Sequence, residues 1–574
     1  MKHTKRLLAL LMALCLILIS ACTGDGNSSS ESSQQDASKQ EQSQAEESTG
    51  GVAEDSDATS VDGPEAYTMP LTTGDISLSM FSGLDSKASV SIGTMEDNYT
   101  IQYYESLSGI HIDFFHPSSA TSTGEALNVM ISSGEYTDLI GGILSASDGP
   151  DTLIANGVIL RLNEYIDQYG YYLTEIFKEY PEFYNQVLTY EGNIALYPTS
   201  RLDPSTRYFE SFVIRQDWLD KLGLEKPTTV DEWYTVLKAF ATKDPNGNGI
   251  NDELPFVGNS NEQMGVYRLG SLFGFNSCFY SEYACTLMDD EIVFAANAPQ
   301  FEEYVTVMAQ WYAEGLIDPE YASTDATSWQ EKVLSDLGGC FYGKMNGGIG
   351  TLLGSYDYEG RDPDFNLEPL GYPITEDGTS YDLYSREIFD RGGIAISSTC
   401  EHMKEAIQWL DYMYSEKGQI MCSFGEEGVT FEYDDQGVPH YTEMITEAED
   451  LSLVQAIAKY TMGGIAPRMV NDIYYWDAVM SYDQQRLVYD TVSVSSTKRK
   501  MPQNLKYSIE DQDRLTMLMG DIQTYYQETL NAFIMGTKPI SELQEFKDTL
   551  NSMGLEEAIG IMQAAYDTYI SNNA

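Results

Sequence analysis

Along most of this chain, short apolar runs alternate with longer stretches whose apolar positions recur every three or four residues. This is the pattern of strands interleaved with helices. Residues 88–92 and 110–115 read as strands on either side of a helix near 98–108. A helix over 124–133 leads to a short strand at 137–140, and 212–215 reads as a strand running into a helix. Later helices carry sharper signals. Thr229, Val230, Asp231 and Glu232 have the form of a capping box, and Val230, Trp233, Leu237 and Phe240 then share one apolar face. Phe301, Tyr304, Met308 and Trp311 line another helix, ended by Gly315 and Pro319. Met403, Ile407, Leu410 and Tyr414 line a third, with Gly418 after it. The C-terminus reads as helical from about Asp511, with a break at 536–539. No internal repeat appears at periods of 20–50 residues. The expectation is an α/β chain, and its 574 residues imply more than one core.

The first 70 residues break this pattern. Residues 1–6 are basic, and residues 7–19 form an apolar run of signal-peptide length, short for a membrane span. The run ends in Ile19-Ser20-Ala21-Cys22, which resembles the bacterial lipobox. The resemblance implies a signal over 1–21 and diacylation of Cys22, holding the protein at the extracytoplasmic face of the cell membrane. Residues 22–70 are rich in Ser, Gln, Glu, Asp and Gly, too polar to bury a core, and read as a disordered tether.

Charge narrows the choice of partners. The chain holds 89 Asp+Glu against 32 Lys+Arg, a net charge of −57, and −50 of that belongs to residues 66–574. A body this acidic does not recognise a phosphate backbone through a basic surface, so no nucleic-acid role is expected. It is also repelled by anionic lipid, so membrane attachment falls to the acyl chains, which act through hydrophobicity.

Five cysteines follow Cys22, without CxxC spacing, which argues against zinc. A disulfide such as Cys278–Cys285 stays open. The most specific local signal is the loop from Asp244 to Glu253. Ca2+ takes six to eight oxygens. Oxygen side chains stand at loop positions 1, 3, 5 and 9 (Asp244, Asn246, Asn248, Asp252), the Ile250 carbonyl at 7, and Gly249 at the sharp turn. Pro255 replaces the usual glutamate at position 12, and Glu253 at position 10 is the substitute carboxylate. The expected cofactor is a structural Ca2+.

Longer stretches then carry a family resemblance. FVIRQDWLDKLGL from Phe212 to Leu224 is followed by PTTVDEW from Pro227 to Trp233 and by the calcium-like loop. WYAEGLIDP from Trp311, GGIAIS from Gly392, FGEEGVT from Phe424 and FIMG from Phe533 come after, in that order. Together these resemble the extracellular solute-binding proteins of family 1, in the large lipoprotein branch similar to calcium-containing alginate-binding proteins. The resemblance covers about residues 75–570. It implies a two-lobed, type II periplasmic-binding-protein-like α/β fold, hinged around a ligand cleft. Lobe 1 would comprise 75–205 plus 375–430, and lobe 2 would comprise 206–374 plus 431–574, with hinge strands near 206–212 and 370–384. It implies binding without catalysis, a monomer, an oligosaccharide as ligand and an ABC permease as partner.

Sugar rings pack their C–H faces on aromatic rings, while their hydroxyls meet planar polar side chains. Trp218, Trp233, Trp311 and Trp409 occupy apolar helical positions and read as packing. By resemblance to the alginate-binding branch, Trp329 and Trp476 fall where cleft-lining aromatics occur, with Tyr342 and Tyr474 near them. Arg201, Arg207 and Tyr208 lie near the expected hinge, and Asp390 and Arg391 precede the Gly392-Gly393 pair. For each of these a surface ion pair is the competing reading. The net charge favours a neutral sugar over a uronate, unless arginines reverse the field inside the cleft.

Other chemistries fit less well. Gly338-Gly-Cys-Phe-Tyr-Gly343-Lys344 imitates a P-loop, but Met345 stands where Ser or Thr must meet Mg2+. No HExxH or GxSxG occurs. The alternatives kept are a surface glycoside hydrolase, since so many acids supply candidate pairs, and a glycan- or peptide-binding sensor lipoprotein without a transport role.

Overall fold

The computed structural model describes residues 64–573 except 119–120, 260–264, 280–282, 326–327 and 359–362. The signal, Cys22 and nearly all of the expected tether lie outside the described residues.

Among the described residues there are thirteen strands. In chain order they are β1 (Ile76–Phe81), β2 (Ile110–Phe115), β3 (Leu139–Gly141), β4 (Tyr197–Ser200), β5 (Glu210–Arg215), β6 (Leu254–Phe256), β7 (Cys285–Met288), β8 (Glu291–Phe294), β9 (Gly338–Lys344), β10 (Leu367–Leu370), β11 (Phe389–Ile396), β12 (Phe431–Tyr433) and β13 (Pro439–Tyr441). Two sheets organise the molecule. The first has the order β2-β1-β3-β11-β4, with β1 parallel to β2 and β3, and β11 antiparallel to both its neighbours. The second has the order β10-β5-β9-β6. The pairs β7–β8 and β12–β13 are separate hairpins.

Each sheet has its own core. Around the first pack Leu78, Met80, Ile112, Ile140, Tyr197, Ile394, Trp409 and Leu410. Around the second pack Phe212, Ile214, Trp218, Trp233, Phe240, Phe256, Trp311 and Phe533. Full burial of one such Phe or Leu contributes roughly 1.5–3 kcal/mol, so each cluster is a large source of stability. The chain visits both cores more than once. Leu370 to Tyr384 pack in the second core, and the first resumes only at Ile388, later than the expected boundary at 375. Ala458 to Val470 return to the first core, although the resemblance places 431–574 in the second lobe. A small third cluster of Ile445, Ala456, Ile457, Tyr475 and Val479 lies under the β12–β13 hairpin region.

The helical signals hold well. Thr229 and Glu232 cap each other as expected, opening the helix Val230–Phe240, and Trp233, Leu237 and Phe240 are buried. Phe301, Tyr304, Met308 and Trp311 are the buried face of Phe301–Ala313. Two readings differ. Residues 88–92 are not a strand but carry a short 3-10 turn, Ala88–Val90, which buries Ala88 and Ile92 and leaves Val90 exposed. The strand missed was β1, ISLSMF, whose serines alternate with apolar residues. Gly418 does come after the helix Met403–Asp411 and lies within the next one, Glu416–Phe424, where a Cβ would come within 1.9 Å of the Tyr412 carbonyl.

The far end of the expected tether is docked. Tyr67 donates to the Asp411 carboxylate at 2.9 Å, and the amides of Leu71 and Thr72 donate to the Ser108 carbonyl. Gly109 accommodates this approach: its φ is +76°, and a Cβ there would lie 2.5 Å from the Thr72 carbonyl oxygen.

Candidate functional site

The two cores are joined where the chain crosses between them. It leaves β4 at Ser200 and enters β5 at Glu210; it returns between Tyr384 and Ile388; and it leaves again after Val470. Residues far apart in sequence meet at these crossings.

Arg201 follows β4 directly and is buried. Its Nε stands 2.9 Å from Asp390 Oδ1, and one Nη donates to the Thr206 carbonyl at 2.6 Å. Burial lowers the guanidinium's pKa, and the Asp390 charge opposes that shift. The Arg201 guanidinium carbon is 4.7 Å from the centre of the Phe209 ring and 5.7 Å from Trp476. Phe209 and Trp476 stack at 6.0 Å and 21°. Arg386 approaches Phe209 at 5.6 Å. Asn471 donates to Asp390 and to the Ser200 carbonyl, and accepts from Arg468 at 2.6 Å. An aromatic platform thus rests on a polar support drawn from all three crossings.

Beside it is a cavity of about 180 Å3 lined by Ser205, Tyr208, Met345, Trp476, Asp477, Arg486 and Tyr489, among others. Tyr208 and Tyr489 meet edge to face at 5.7 Å. Burial raises the pKa of Asp477, while Arg486 opposes the shift. Flat apolar faces and a few planar polar groups therefore share one concave surface, the usual make-up of a small-molecule site.

The expected site residues divide into three groups. Arg201, Asp390, Tyr208 and Trp476 come together here, and Arg207 braces them by donating to the Arg201 and Leu202 carbonyls. Tyr474, on the same helix as Trp476, is 44% exposed and lies within electrostatic reach of Tyr433 rather than in the cavity lining. Arg391 occupies an irregularity of β11 at φ +49°, within electrostatic reach of Tyr283 and Tyr507. Trp329 and Tyr342 are elsewhere. Trp329 is 3% exposed and packs on Phe341; Tyr342 is fully buried, sharing a hydroxyl contact with Tyr372. Trp329 is on an inner helical face and Tyr342 is inside the second sheet, so neither offers a ring face to the cavity. Sequence reading missed Phe209, Arg386, Arg468, Arg486 and Tyr489. The available signal was the aromatic pair Tyr208-Phe209 and the few arginines of an acidic chain.

The loop 244–253 follows the helix Val230–Phe240 and precedes β6. Its side-chain oxygens face inward on the loop's own backbone. Asp244 accepts from Gly249 N, Asn246 from Asn248 N, and Asn248 from Ile250 N. Asn246 also donates to the Asp336 carbonyl, and Asn248 donates to Asp252. Three carboxylate oxygens are buried without a hydrogen-bond partner: Asp244 Oδ1 and both oxygens of Glu253. Burial pushes the Glu253 pKa up. Among the described residues no group of three or more His, Cys, Asp or Glu closes on a metal position. The loop's oxygens are instead a mixture of carboxylate, amide and carbonyl. Buried, unsatisfied carboxylates on a loop of hard oxygen donors fit a divalent cation of the calcium type.

All five described cysteines are buried. Among the described residues no helix is long and apolar enough to cross a membrane.

Two sheets, each with its own core and joined by repeated chain crossings, are the architecture of a two-lobed binding-protein class. The bacterial extracellular solute-binding protein family model matches residues 98–420, and the chain belongs to that family. It is 26% identical over 493 residues to the fructooligosaccharide ABC transporter substrate-binding protein FusA of Streptococcus pneumoniae, covering 82% of this chain and 87% of that protein. Among solved structures it resembles the alginate-binding protein AlgQ2 without calcium ion, at 24% identity and a TM-score of 0.69, over 87% of this chain and 99% of that one. It also resembles an EF-hand mutant of S. pneumoniae FusA in complex with fructo-nystose, at 22% identity and a TM-score of 0.67, over 86% and 100%. The fold is therefore the two-lobed, mixed α/β fold of solute-binding proteins.

Proposed function

We propose that this chain is the substrate-binding lipoprotein of an ABC importer, capturing an oligosaccharide outside the cell and delivering it to a membrane permease. The carrying observation is the Phe209–Trp476 platform beside the Tyr208–Tyr489 cavity, built where the two cores meet. The likeness to FusA over most of both chains supports the same reading. At about 180 Å3 the cavity is below the roughly 300–1,000 Å3 of drug-sized pockets, which suits one sugar ring rather than a whole chain. Trp476 and Tyr208 supply ring faces, Asp477 and Arg486 meet hydroxyls, and Arg201, Arg207 and Asp390 hold the platform. Tyr474 and Arg391 extend the surface outward. The acidic body favours a neutral sugar. Catalysis is not part of this reading.

Lobe 1 is built on the first sheet and lobe 2 on the second, and ligand selects their closed arrangement. Asp244, Asn246, Asn248, the Ile250 carbonyl, Asp252 and Glu253 hold a structural Ca2+, whose role is to neutralise and satisfy the buried oxygens of the loop. Cys22 carries the lipid, and the segment after it tethers the body to the membrane.

Calorimetry against neutral oligosaccharides such as kestose, against galacturonate oligomers and against peptides tests the reading. Neutral oligosaccharides are expected to bind best at low salt. Tight peptide binding with no sugar binding would overturn the carbohydrate reading. EDTA is expected to lower the melting temperature and to speed amide exchange in 244–256, with recovery on added Ca2+; no change with EDTA would remove the metal.

A further inference from the structure

The segment from Lys500 to Tyr507 belongs to the second core, where Met501 is buried and Leu505 and Tyr507 pack. It nevertheless runs alongside the crossing at 385–391. Lys500 donates to the Ser385 carbonyl at 2.9 Å and pairs with Glu387 at 2.8 Å. Asn504 donates to Gln186 Oε1 at 3.0 Å, and Gln186 accepts from the Phe389 amide as well. Lys506 reaches furthest, donating to the Asn185 carbonyl at 2.6 Å.

Asn185 lies in the last turn of the helix Pro181–Val187, whose Phe183 and Val187 are in the first core. The final carbonyls of a helix have no intrahelical amide to accept from, and the helix dipole favours a cation there. Lys506 satisfies both needs from the other core. Its setting is unusual for so acidic a chain. Among the described residues no carboxylate pairs with its ammonium, and burial lowers its pKa without a nearby anion to oppose the shift. A lysine whose task was charge balance had 89 acids to choose from. This one is aimed at a helix end across the junction.

We propose that Lys506, with Asn504, is a positioning residue for ligand capture: it fastens the second core to the end of the helix Pro181–Val187 and thereby sets the balance between alternative arrangements of the two lobes. A solute-binding protein that closes on its ligand has an affinity that depends on how often the competent arrangement is populated. A charge-assisted hydrogen bond that holds only one arrangement shifts that ratio directly.

The test needs no sugar, so its failure is separable from failure of the carbohydrate reading. Spin labels at Ser132→Cys and Asp548→Cys, both exposed and on opposite cores, report the lobe-to-lobe distance in the full, unliganded chain. Lys506→Met is expected to shift the ratio of arrangements about tenfold and to broaden the distance distribution. Lys506→Arg, which keeps charge and donors, should restore it. Asn504→Ala should move the distribution the same way by a smaller amount, which keeps the idea testable if the methionine variant folds poorly. An unchanged distribution in Lys506→Met, or a change that arginine does not rescue, would overturn the proposal.

Discussion

The two cores bury charge in opposite ways. In the second, Arg215 is fully buried between the Trp218 and Phe365 rings and grips Asp217 through two bonds of 2.7–2.8 Å, with Asp336 at 2.5 Å. In the first, Asp411 is fully buried and, among the described residues, no cation pairs with it. Its carboxylate accepts instead from the amides of Tyr172 and Leu173, which open the helix Tyr171–Glu179, and from the Tyr67 hydroxyl. Burial raises its pKa to about 7, against the opposing effect of those donors. The contrast separates two solutions to one problem. A charge matched by a charge stays ionised at any ordinary pH, whereas a charge matched only by dipoles stays open to titration.

Removing a partner from the paired solution has the largest expected effect. Arg215→Ala leaves buried Asp217 only the longer contact to Lys221 at 3.9 Å and should destabilise the second core by about 3–5 kcal/mol in denaturant unfolding. A loss below 1 kcal/mol would mean that the network is solvated and the comparison fails.

The unpaired solution should show itself through pH. Asp411 has a folded pKa above its unfolded value, so its contribution is fully present below about 4 and is lost as pH rises through about 7. The shift corresponds to an upper bound of about 4 kcal/mol. Amide protection factors in the helix Tyr171–Glu179, with the intrinsic base-catalysed rate divided out, should fall between pH 6 and 8, and Asp411→Asn should flatten that slope. Protection factors that do not change with pH in the parent protein would show that Asp411 ionises as freely as a surface carboxylate.

The smallest effect sharpens the same contrast. Tyr67→Phe removes the one side-chain donor to Asp411 among the described residues while keeping the ring against Tyr172, and should cost about 1–3 kcal/mol at pH 8. The cost should shrink as pH falls below 7, because a protonated carboxyl needs the donor less. Equal cost at both pH values would make Tyr67 a packing residue.

Much of this was legible in the chain, and the limits are instructive. The capping box at Thr229 and Glu232 and the buried face of Phe301–Ala313 depend on neighbours within a few residues, so spacing revealed them. The calcium-like loop was legible for the same reason. The platform was not, because Arg201, Phe209, Asp390 and Trp476 come from three separate crossings. Trp329 looked like a cleft residue beside a glycine-rich stretch, yet packing against Phe341 claimed it for the core.

Local physics, then, is what the sequence determined alone: the helices with periodic faces and paired caps, the polar leader, the oxygen-rich loop, the excess of acid. The tertiary structure decided which segments share a core, and hence that 372–384 pack with the second sheet and 458–470 with the first. It also decided which polar groups lost water together. Burial and long-range pairing are properties of the assembled chain, and no run of neighbouring residues encodes that Lys506 meets Asn185 or that Tyr67 closes on Asp411.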